Sequence, residues 1–450
     1  MEPVIARPPL PPGPYLVVGL ARSGVAAALA LRARGAEVAG VDSGAVAPEV
    51  AERLTAAGAT VHAPDDGIAL LARAGSVIKS PGVPKEAPVI AAARERGIPV
   101  LGEYETGWRL LPEHEFIAVT GSNGKTTTVE LIGHLHREAA LPVKVAGNVG
   151  TALTGLPGTL APGTVVVAEA SSFQLEDTEA FAPDAAVLLN LAEDHLDRHG
   201  TFEAYRAAKL EVFARQPNEA VAVAPLGLGV EDLGGCARRV CFGAGPGAEL
   251  ADRAGQLWWG EQPLLAVSEI GLRGAHNVQN AMAAAAVCLA RGVDAEAVRA
   301  GLHSFSGLAH RLEEVATIGG VLYVNDSKAT NVASALVGID SFPGGVHAIL
   351  GGRSKGGAFT ELVPAVAERC RAAYLIGETA SELAEALAPA GIPLRECGDL
   401  ERAVAAASAA AAPGDVVLLS PACPSYDQYV SYEQRGDHFR ALARALMSST

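Results

Sequence analysis

The plainest chemistry in the chain sits in the segment Phe116-Ile-Ala-Val-Thr-Gly-Ser-Asn-Gly-Lys-Thr-Thr-Thr128. An apolar stretch, Phe116 to Val119, enters the turn Gly121-Ser122-Asn123-Gly124. Lys125, Thr126 and Thr127 follow, and a helical pattern opens with Leu131, Ile132, Leu135 and Ala139 on one face. A turn of this kind aims backbone N–H groups at one point, which suits an anion. Lys125 adds positive charge for outer phosphates, and the Thr126 hydroxyl is placed to ligate Mg²⁺. The segment is therefore expected to bind a nucleoside triphosphate. The longer form of this loop has a glycine where Val119 stands, so a strand–turn–helix with a surface lysine is the competing reading.

Other groups fall after apolar runs. Glu169 follows Val165-Val-Val-Ala168, where a carboxylate beside a phosphate loop is the logical second anchor for Mg²⁺. Glu193-Asp194-His195 follows the run that ends near Asn190. His195 and His199 have zinc-like spacing, but no Glu follows the first His and Gly200 stops a helix, so zinc is rejected. Tyr205-Arg-Ala-Ala-Lys209 reads as an amphipathic helix on which Lys209 is, by default, solvated. His310-Arg311 lies just after Ser306-Gly307, a place from which an arginine could reach phosphates. Asn325-Asp326-Ser327-Lys328-Ala-Thr330-Asn331 pairs an acid for ribose hydroxyls with a lysine and a threonine for an anionic substrate. Cys423 has no histidine nearby in sequence and is expected to be a buried, inert thiol.

The elements that must position these groups read as α/β throughout. Tyr15 to Val18, the turn Gly19-Leu-Ala-Arg-Ser-Gly24, a helix from Val25 to Arg34 and a strand from Glu37 to Val41 form a βαβ unit. Asp42 stands where such units carry a ribose-binding acid; a turn that binds nothing is the alternative. Strands are expected at Ser76–Lys79, Thr164–Ala168, Ala185–Leu189, Val321–Val324, Ala348–Leu350, Ala373–Ile376 and Val416–Leu419, and an apolar helix at Asn277–Ala290. The fold class is α/β in three domains: a Rossmann-like domain over 1–112, a P-loop ATPase-like central domain over 113–309 and a Rossmann-like domain over 310–450.

With 450 residues, one core would not suffice. A net charge of −15 argues against non-specific nucleic-acid binding. No long apolar run suggests a membrane span, the Pro-rich start is unlike a signal peptide, and the six scattered cysteines form no C-x-x-C. A reduced, cytoplasmic monomer is expected.

Taken together, Gly121-Ser-Asn-Gly-Lys-Thr126, Gly147-Asn148-Val-Gly150, Glu169-Ala-Ser-Ser-Phe-Gln-Leu175, Glu193-Asp-His-Leu-Asp197, Tyr205-Arg-Ala-Ala-Lys209, His310-Arg311 and Asn325-Asp-Ser-Lys-Ala-Thr-Asn331 resemble the Mur ligases of peptidoglycan synthesis. The resemblance runs from about Val17 to Leu446, and Val119 fits that family's shorter loop. Ser171-Ser-Phe-Gln-Leu175 and the block from Ser420 to Gly436 resemble the branch that joins D-glutamate to UDP-N-acetylmuramoyl-L-alanine (UDP-MurNAc-L-alanine). The resemblance implies that ATP activates the substrate carboxylate as an acyl phosphate, which the amine of D-glutamate attacks.

It also implies roles for particular residues. Gly121, Ser122, Asn123, Gly124, Lys125, Thr126 and Thr127 would hold ATP phosphates. Asn277 and Asn280 would lie near the adenine, and Arg311 and Asp326 near ribose and phosphates. Thr126 and Glu169 would ligate one Mg²⁺ and His195 a second. Lys209 would react with CO₂ to a carbamate that supports the metal site. Arg22, Ser23, Asp42 and Ser80 match uridine-nucleotide contacts, and Asn148 another substrate contact. Lys328, Thr330, Lys355, Ser425 and Tyr432 match the D-glutamate side, with Tyr432 where a phenylalanine is usual. Lys125, His195, Lys209 and Arg311 form the catalytic set. The alternatives are another amide ligase of the superfamily, folylpolyglutamate synthase-like, or a nicotinamide dehydrogenase using Gly19 to Asp42.

Overall fold

The computed structural model describes residues 6–228, 233–272, 274–354 and 359–447, apart from the side chain of Asp197. Lys355 and Arg273 lie outside the described residues. Contacts divide the chain into two compact units, one ending at Phe305 and one beginning at Ser306.

The first unit holds two sheets. One is a five-stranded parallel sheet in the order Thr60–His62, Val38–Val41, Tyr15–Val18, Ser76–Lys79, Val100–Gly102. Its two central strands are buried at every position, as a parallel sheet covered on both faces requires. The helix after the first strand spans Arg22–Ala33, so it begins earlier than the apolar pattern alone indicates. A side chain at Gly24 would stand 1.8 Å from the Gly19 carbonyl oxygen, and only this bare backbone lets the helix start so close to the strand.

The second sheet has nine strands, in the order Gln262–Ala266, Gln256–Trp259, Leu250–Arg253, Arg238–Gly243, Val221–Pro225, Ala185–Leu188, Phe116–Thr120, Val165–Glu169, Val143–Gly147. Phe116–Thr120 pairs in parallel with Val165–Glu169 on one side and Ala185–Leu188 on the other. These three strands end at the same edge, where the ligands of open α/β sheets bind. The three strands at the far side continue through antiparallel pairs from Leu250 to Ala266. The helices Lys125–Glu138 and Ala275–Ala290 pack together against the parallel part.

A strap of backbone ties the two sheets of this unit together. The Arg7 guanidinium lies 5.0 Å from the Trp108 ring centroid and 4.7 Å from that of Phe116. It donates to the carbonyls of Trp108, Leu111 and His114, so it grips the chain on both sides of Pro112. Burial lowers its pKa to about 10.

The second unit is a six-stranded sheet in the order Glu313–Ile318, Val321–Asn325, Val416–Leu419, Val346–Gly351, Cys370–Ile376, Leu394–Gly398. Only the edge pair Glu313–Ile318 with Val321–Asn325 is antiparallel. The expected strands at Ala348 and Ala373 are extended at their starts to Val346 and Cys370, because their parallel ladder pairs residues outside the apolar runs. The ends of Val321–Asn325 and Val416–Leu419 lie side by side, which brings Asp326 to Ser420. None of the six cysteines forms a disulfide, and no helix among the described residues is long and apolar enough to cross a membrane.

Candidate functional site

The strand Phe116–Thr120 delivers the chain to Gly121 (φ +155°), and Gly124 (φ +85°) caps the helix that begins at Lys125. A side chain on Gly124 would meet Asn280 Oδ1 at 2.2 Å, so the loop backbone lies directly against that residue. Asn280 is buried and donates to Asn277 Oδ1 at 3.2 Å. The two asparagines expected near the adenine thus stand together beside the phosphate loop.

Thr126 Oγ1 donates to Glu169 Oε2 at 2.9 Å, and Asn148 Nδ2 donates to Glu169 Oε1 at 3.0 Å. Glu169 is 2% exposed. Gly147 (φ +108°) permits this approach, because a side chain there would stand 2.3 Å from the Glu169 carbonyl oxygen. The hydroxyl and carboxylate are hard oxygen donors already within one hydrogen bond of each other, a set that fits Mg²⁺. Lys125 Nζ donates to the carbonyls of Gly121 and Ser122, both at 2.8 Å.

Lys209 is not the solvated helix lysine that amphipathicity suggests. It is 2% exposed on the helix Phe202–Leu210, and its amine donates to Gly121 O at 2.8 Å. The same carbonyl oxygen therefore accepts from both Lys125 and Lys209. The Lys209 amine also lies 4.6 Å from the Tyr205 ring centroid. Burial, reinforced by the charge of Lys125, lowers its pKa to about 7 against the pull of Asp194 and Glu169. A cation here would oppose a metal. A neutral amine would not, and a carbamate on it would add an oxygen donor.

Tyr205 is a residue whose part the sequence does not reveal. Its hydroxyl lies 2.9 Å from Ser122 Oγ, which also donates to Ala192 O at 3.0 Å and accepts from Ala192 N at 2.9 Å. Asn190 adds a reciprocal pair: its Oδ1 accepts from Asn123 N at 2.9 Å and its Nδ2 donates to Asn123 O at 3.0 Å. The segment after Ala185–Leu188 thus holds the phosphate loop from below. The one sequence signal for Tyr205 is its i,i+4 spacing to Lys209.

His195 adopts φ +52°, and its half-exposed ring lies 4.9 Å from that of Phe173 and 6.3 Å from that of Tyr205. Its Nε2 lies 3.5 Å from Asp194 Oδ2, and among the described residues no hydrogen bond or ion pair joins it to Thr126 or Glu169. Among the described residues no three His, Cys, Asp or Glu side chains cluster as a ready metal site. His199 packs on the same Phe173 ring at 5.5 Å, and its Nε2 lies 3.0 Å from Ser172 Oγ.

In the first sheet Asp42 receives the N–H of Leu20 at 2.7 Å and that of Gly44 at 2.9 Å. Ser80 Oγ donates to Gly19 O at 2.8 Å. Asp42 and Ser80 thereby shape the Gly19–Gly24 turn, and Ser23 lies in the first turn of the helix Arg22–Ala33. Arg22 Nη2 donates to Asn148 O at 3.2 Å, which joins two expected substrate contacts from different sheets.

In the second unit Asp326 accepts from Ser420 Oγ at 2.7 Å and from Leu312 N at 3.2 Å, beside the exposed Arg311. Burial raises its pKa to about 7. Lys328 N donates to His310 O, and Thr330 N to Lys328 O, both at 2.9 Å. Ser425 is buried, and its Oγ has no hydrogen-bond partner among the described residues. The Tyr432 carbonyl accepts from Ser327 Oγ at 2.8 Å. Arg435 is 1% exposed and binds Ser327 Oγ, Ser327 O and Cys423 O at 2.9, 2.8 and 3.1 Å. Cys423 is buried as expected, with burial raising its thiol pKa.

Comparison with known proteins covers nearly the whole chain. Residues 14–102 match the Mur ligase MurD-like N-terminal domain, 119–288 the Mur ligase middle domain and 310–423 the Mur ligase glutamate ligase domain. The UDP-N-acetylmuramoylalanine--D-glutamate ligase of Acidobacterium capsulatum is 43% identical, covering 96% of both chains. That of Anaeromyxobacter dehalogenans is also 43% identical, covering 98% of this chain and 99% of its own. Among solved structures, the UDP-N-acetylmuramate-alanine ligase of Thermotoga maritima aligns with a TM-score of 0.56 at 18% identity over 97% of this chain and all of its own. The MurF ligase of Thermotoga maritima in complex with ADP aligns at 0.55 and 19% identity, over 92% of this chain and 96% of its own. The dehydrogenase alternative finds no support here. Its glycine turn lies within the span matched by the Mur ligase N-terminal domain.

Proposed function

The chain belongs to the Mur ligase family, and from that premise we propose that it joins D-glutamate to UDP-MurNAc-L-alanine at the expense of ATP. The observation that carries this reading is the edge where Lys125, Thr126, Glu169, Asn148 and Lys209 meet. A carboxylate is a poor acyl donor. Phosphorylation of the L-alanine carboxylate supplies a leaving group, and the D-glutamate amine then displaces phosphate to form the amide.

Each residue has a task in that sequence. Gly121 to Thr127 cradle the phosphates, and Asn277 and Asn280 stand on the adenine side. Lys125 leaves the carbonyls of Gly121 and Ser122 for the transferring phosphoryl group, where its charge offsets the gathering negative charge. Thr126 and Glu169 would hold one Mg²⁺, with Asn148 orienting the carboxylate. His195 and a carbamate on Lys209 would serve a second. Bound Mg²⁺ would supply charge neutralisation on the phosphate oxygens. Arg22, Ser23, Asp42 and Ser80 receive the uridine nucleotide. Arg311 and Asp326 serve ATP. Lys328, Thr330, Lys355, Ser425 and the Tyr432 main chain receive D-glutamate, for which the unpartnered Ser425 hydroxyl is apt. The protein works as a cytoplasmic monomer.

The test is phosphate release from ATP with UDP-MurNAc-L-alanine and a panel of amino acids. D-Glutamate is expected to support turnover. Turnover with L-lysine or diaminopimelate and none with D-glutamate would sink the assignment.

A further inference from the structure

The segment that holds the phosphate loop from below also reaches toward the first sheet through Arg198. This guanidinium is mostly buried; its Nη2 binds Glu176 Oε1 at 2.6 Å and lies 3.4 Å from the Val83 carbonyl oxygen. It also lies 4.8 Å from the ring centroid of Phe173, the ring against which His195 packs. The Val83 carbonyl has a second cationic partner, Lys79 Nζ at 2.7 Å. That amine forms a fully buried ion pair with Asp177 at 2.6 Å. Two neighbouring acids of the second sheet's domain, Glu176 and Asp177, thus steady two cations that converge on one carbonyl of the first.

Val83 closes the turn that begins at Ser80, since Val83 N donates to Ser80 O at 3.0 Å. A side chain on Gly19 would meet Val83 Cγ2 at 2.7 Å, so this turn presses on the glycine loop. One continuous set of contacts therefore leads from the Gly19/Ser80 loop through Val83 and Arg198 to Phe173 and His195. Few of its links could slip without loss: both ion pairs are shielded from water, where an unpaired charge is costly.

We propose that Arg198 is a positioning residue that couples occupancy of the nucleotide-sugar loop to the His195 face of the ATP site. This inference rests on the functional reading above for the identity of the two ligands. A nucleotide sugar that orders the Ser80–Val83 turn anchors the Arg198 guanidinium, and that fixes the Phe173 ring under His195. Arg198 touches neither ligand. Arginine suits the task because its planar fork can bond a carboxylate while stacking on an aromatic ring, which a lysine ammonium does less well.

The experiment is calorimetric titration of the full chain with a non-hydrolysable ATP analogue and Mg²⁺, with and without saturating UDP-MurNAc-L-alanine. In the unaltered protein the sugar nucleotide is expected to change the analogue's affinity about 5-fold or more. Arg198→Met should bind each ligand alone yet lose that factor, to within about 2-fold, and Arg198→Lys should keep part of it. A merely structural role would lower melting temperature and both affinities without touching their ratio. If Arg198→Met does not fold, Glu176→Gln decides, since it weakens the ion pair and leaves the Phe173 contact; it too should lose most of the factor. Full coupling in the folded variant, or none in the unaltered protein, overturns the proposal. Failure of UDP-MurNAc-L-alanine to bind the unaltered protein overturns the functional reading as well, and is told apart by that control.

Discussion

Lys209 should be far more reactive toward CO₂ than an ordinary lysine, and the size of the effect follows from its setting. Only a neutral amine attacks CO₂. With its pKa lowered from 10.5 to about 7, the Lys209 amine is about three-quarters neutral at pH 7.5. An unperturbed lysine at that pH is neutral in about one molecule per thousand. The advantage is several hundred-fold in reactive amine. The sign is fixed by the cause: burial disfavours the charged form, so the amine is neutral above about pH 7 and protonated below it. At pH 6 the neutral fraction falls to about one-tenth. The assay is carbon-13 NMR of the full chain in labelled bicarbonate at fixed dissolved CO₂, from pH 6 to 9. The initial rate at which one carbamate resonance grows should rise with a midpoint near pH 7, as the neutral amine attacks CO₂ and a proton is released, and the resonance should be missing from Lys209→Arg. Activity should follow: Lys209→Ala loses most turnover, and short carboxylic acids restore part of it. A resonance that survives in Lys209→Arg, or a midpoint near 10, would refute the reasoning.

Thr126→Val removes the hydroxyl that binds Glu169 and keeps the shape; kcat should fall about 100-fold while stability shifts by about 1 kcal/mol, by steady-state kinetics and denaturant melts. Arg435→Met strands the carbonyls of Ser327 and Cys423 in a buried site, and should destabilise the second unit by about 2–4 kcal/mol in a urea titration. Asp326 binds its proton more tightly folded than unfolded, because burial raises its pKa from 3.8 to about 7. Its contribution to stability is therefore present at low pH and lost as pH rises toward 7. Asp326→Asn should gain on the unaltered protein between pH 5 and 7 in paired urea titrations, and an unchanging gap would contradict this.

Groups carried by a strand and its next turn were readable from residue order. The phosphate loop, Glu169 at its strand end and the Gly19–Asp42 unit all depend on contacts within a βα step, where spacing dictates geometry. Amphipathicity alone leaves Lys209 solvated, because its burial is imposed by Gly121, far away in the chain. Charge on an amphipathic helix says nothing about a carbonyl arriving from another segment. Arg198, Tyr205 and Arg435 escaped for the same reason: each acts through partners in other elements, and none bears a motif-defining chemistry alone. The antiparallel strands from Leu250 to Ala266 also carry no strong alternation, since Trp258 and Trp259 adjoin and Pro263 interrupts the last strand. Strand limits differ by one to three residues wherever pairing, and not hydropathy, sets the end.

The grip of Arg7 has a practical consequence for anyone dissecting the chain. Its guanidinium bonds Leu111 O and His114 O, so it straddles the peptide where recombinant fragments would naturally be divided. A piece ending at Pro112 would keep the Trp108 ring but strip the cation of the Phe116 ring and the His114 carbonyl, and the complementary piece would begin with an uncovered Phe116. Fusion tags joined close to Arg7 would pull on the same knot. Expression trials are therefore better cut after Phe305, where the contacts themselves divide the chain.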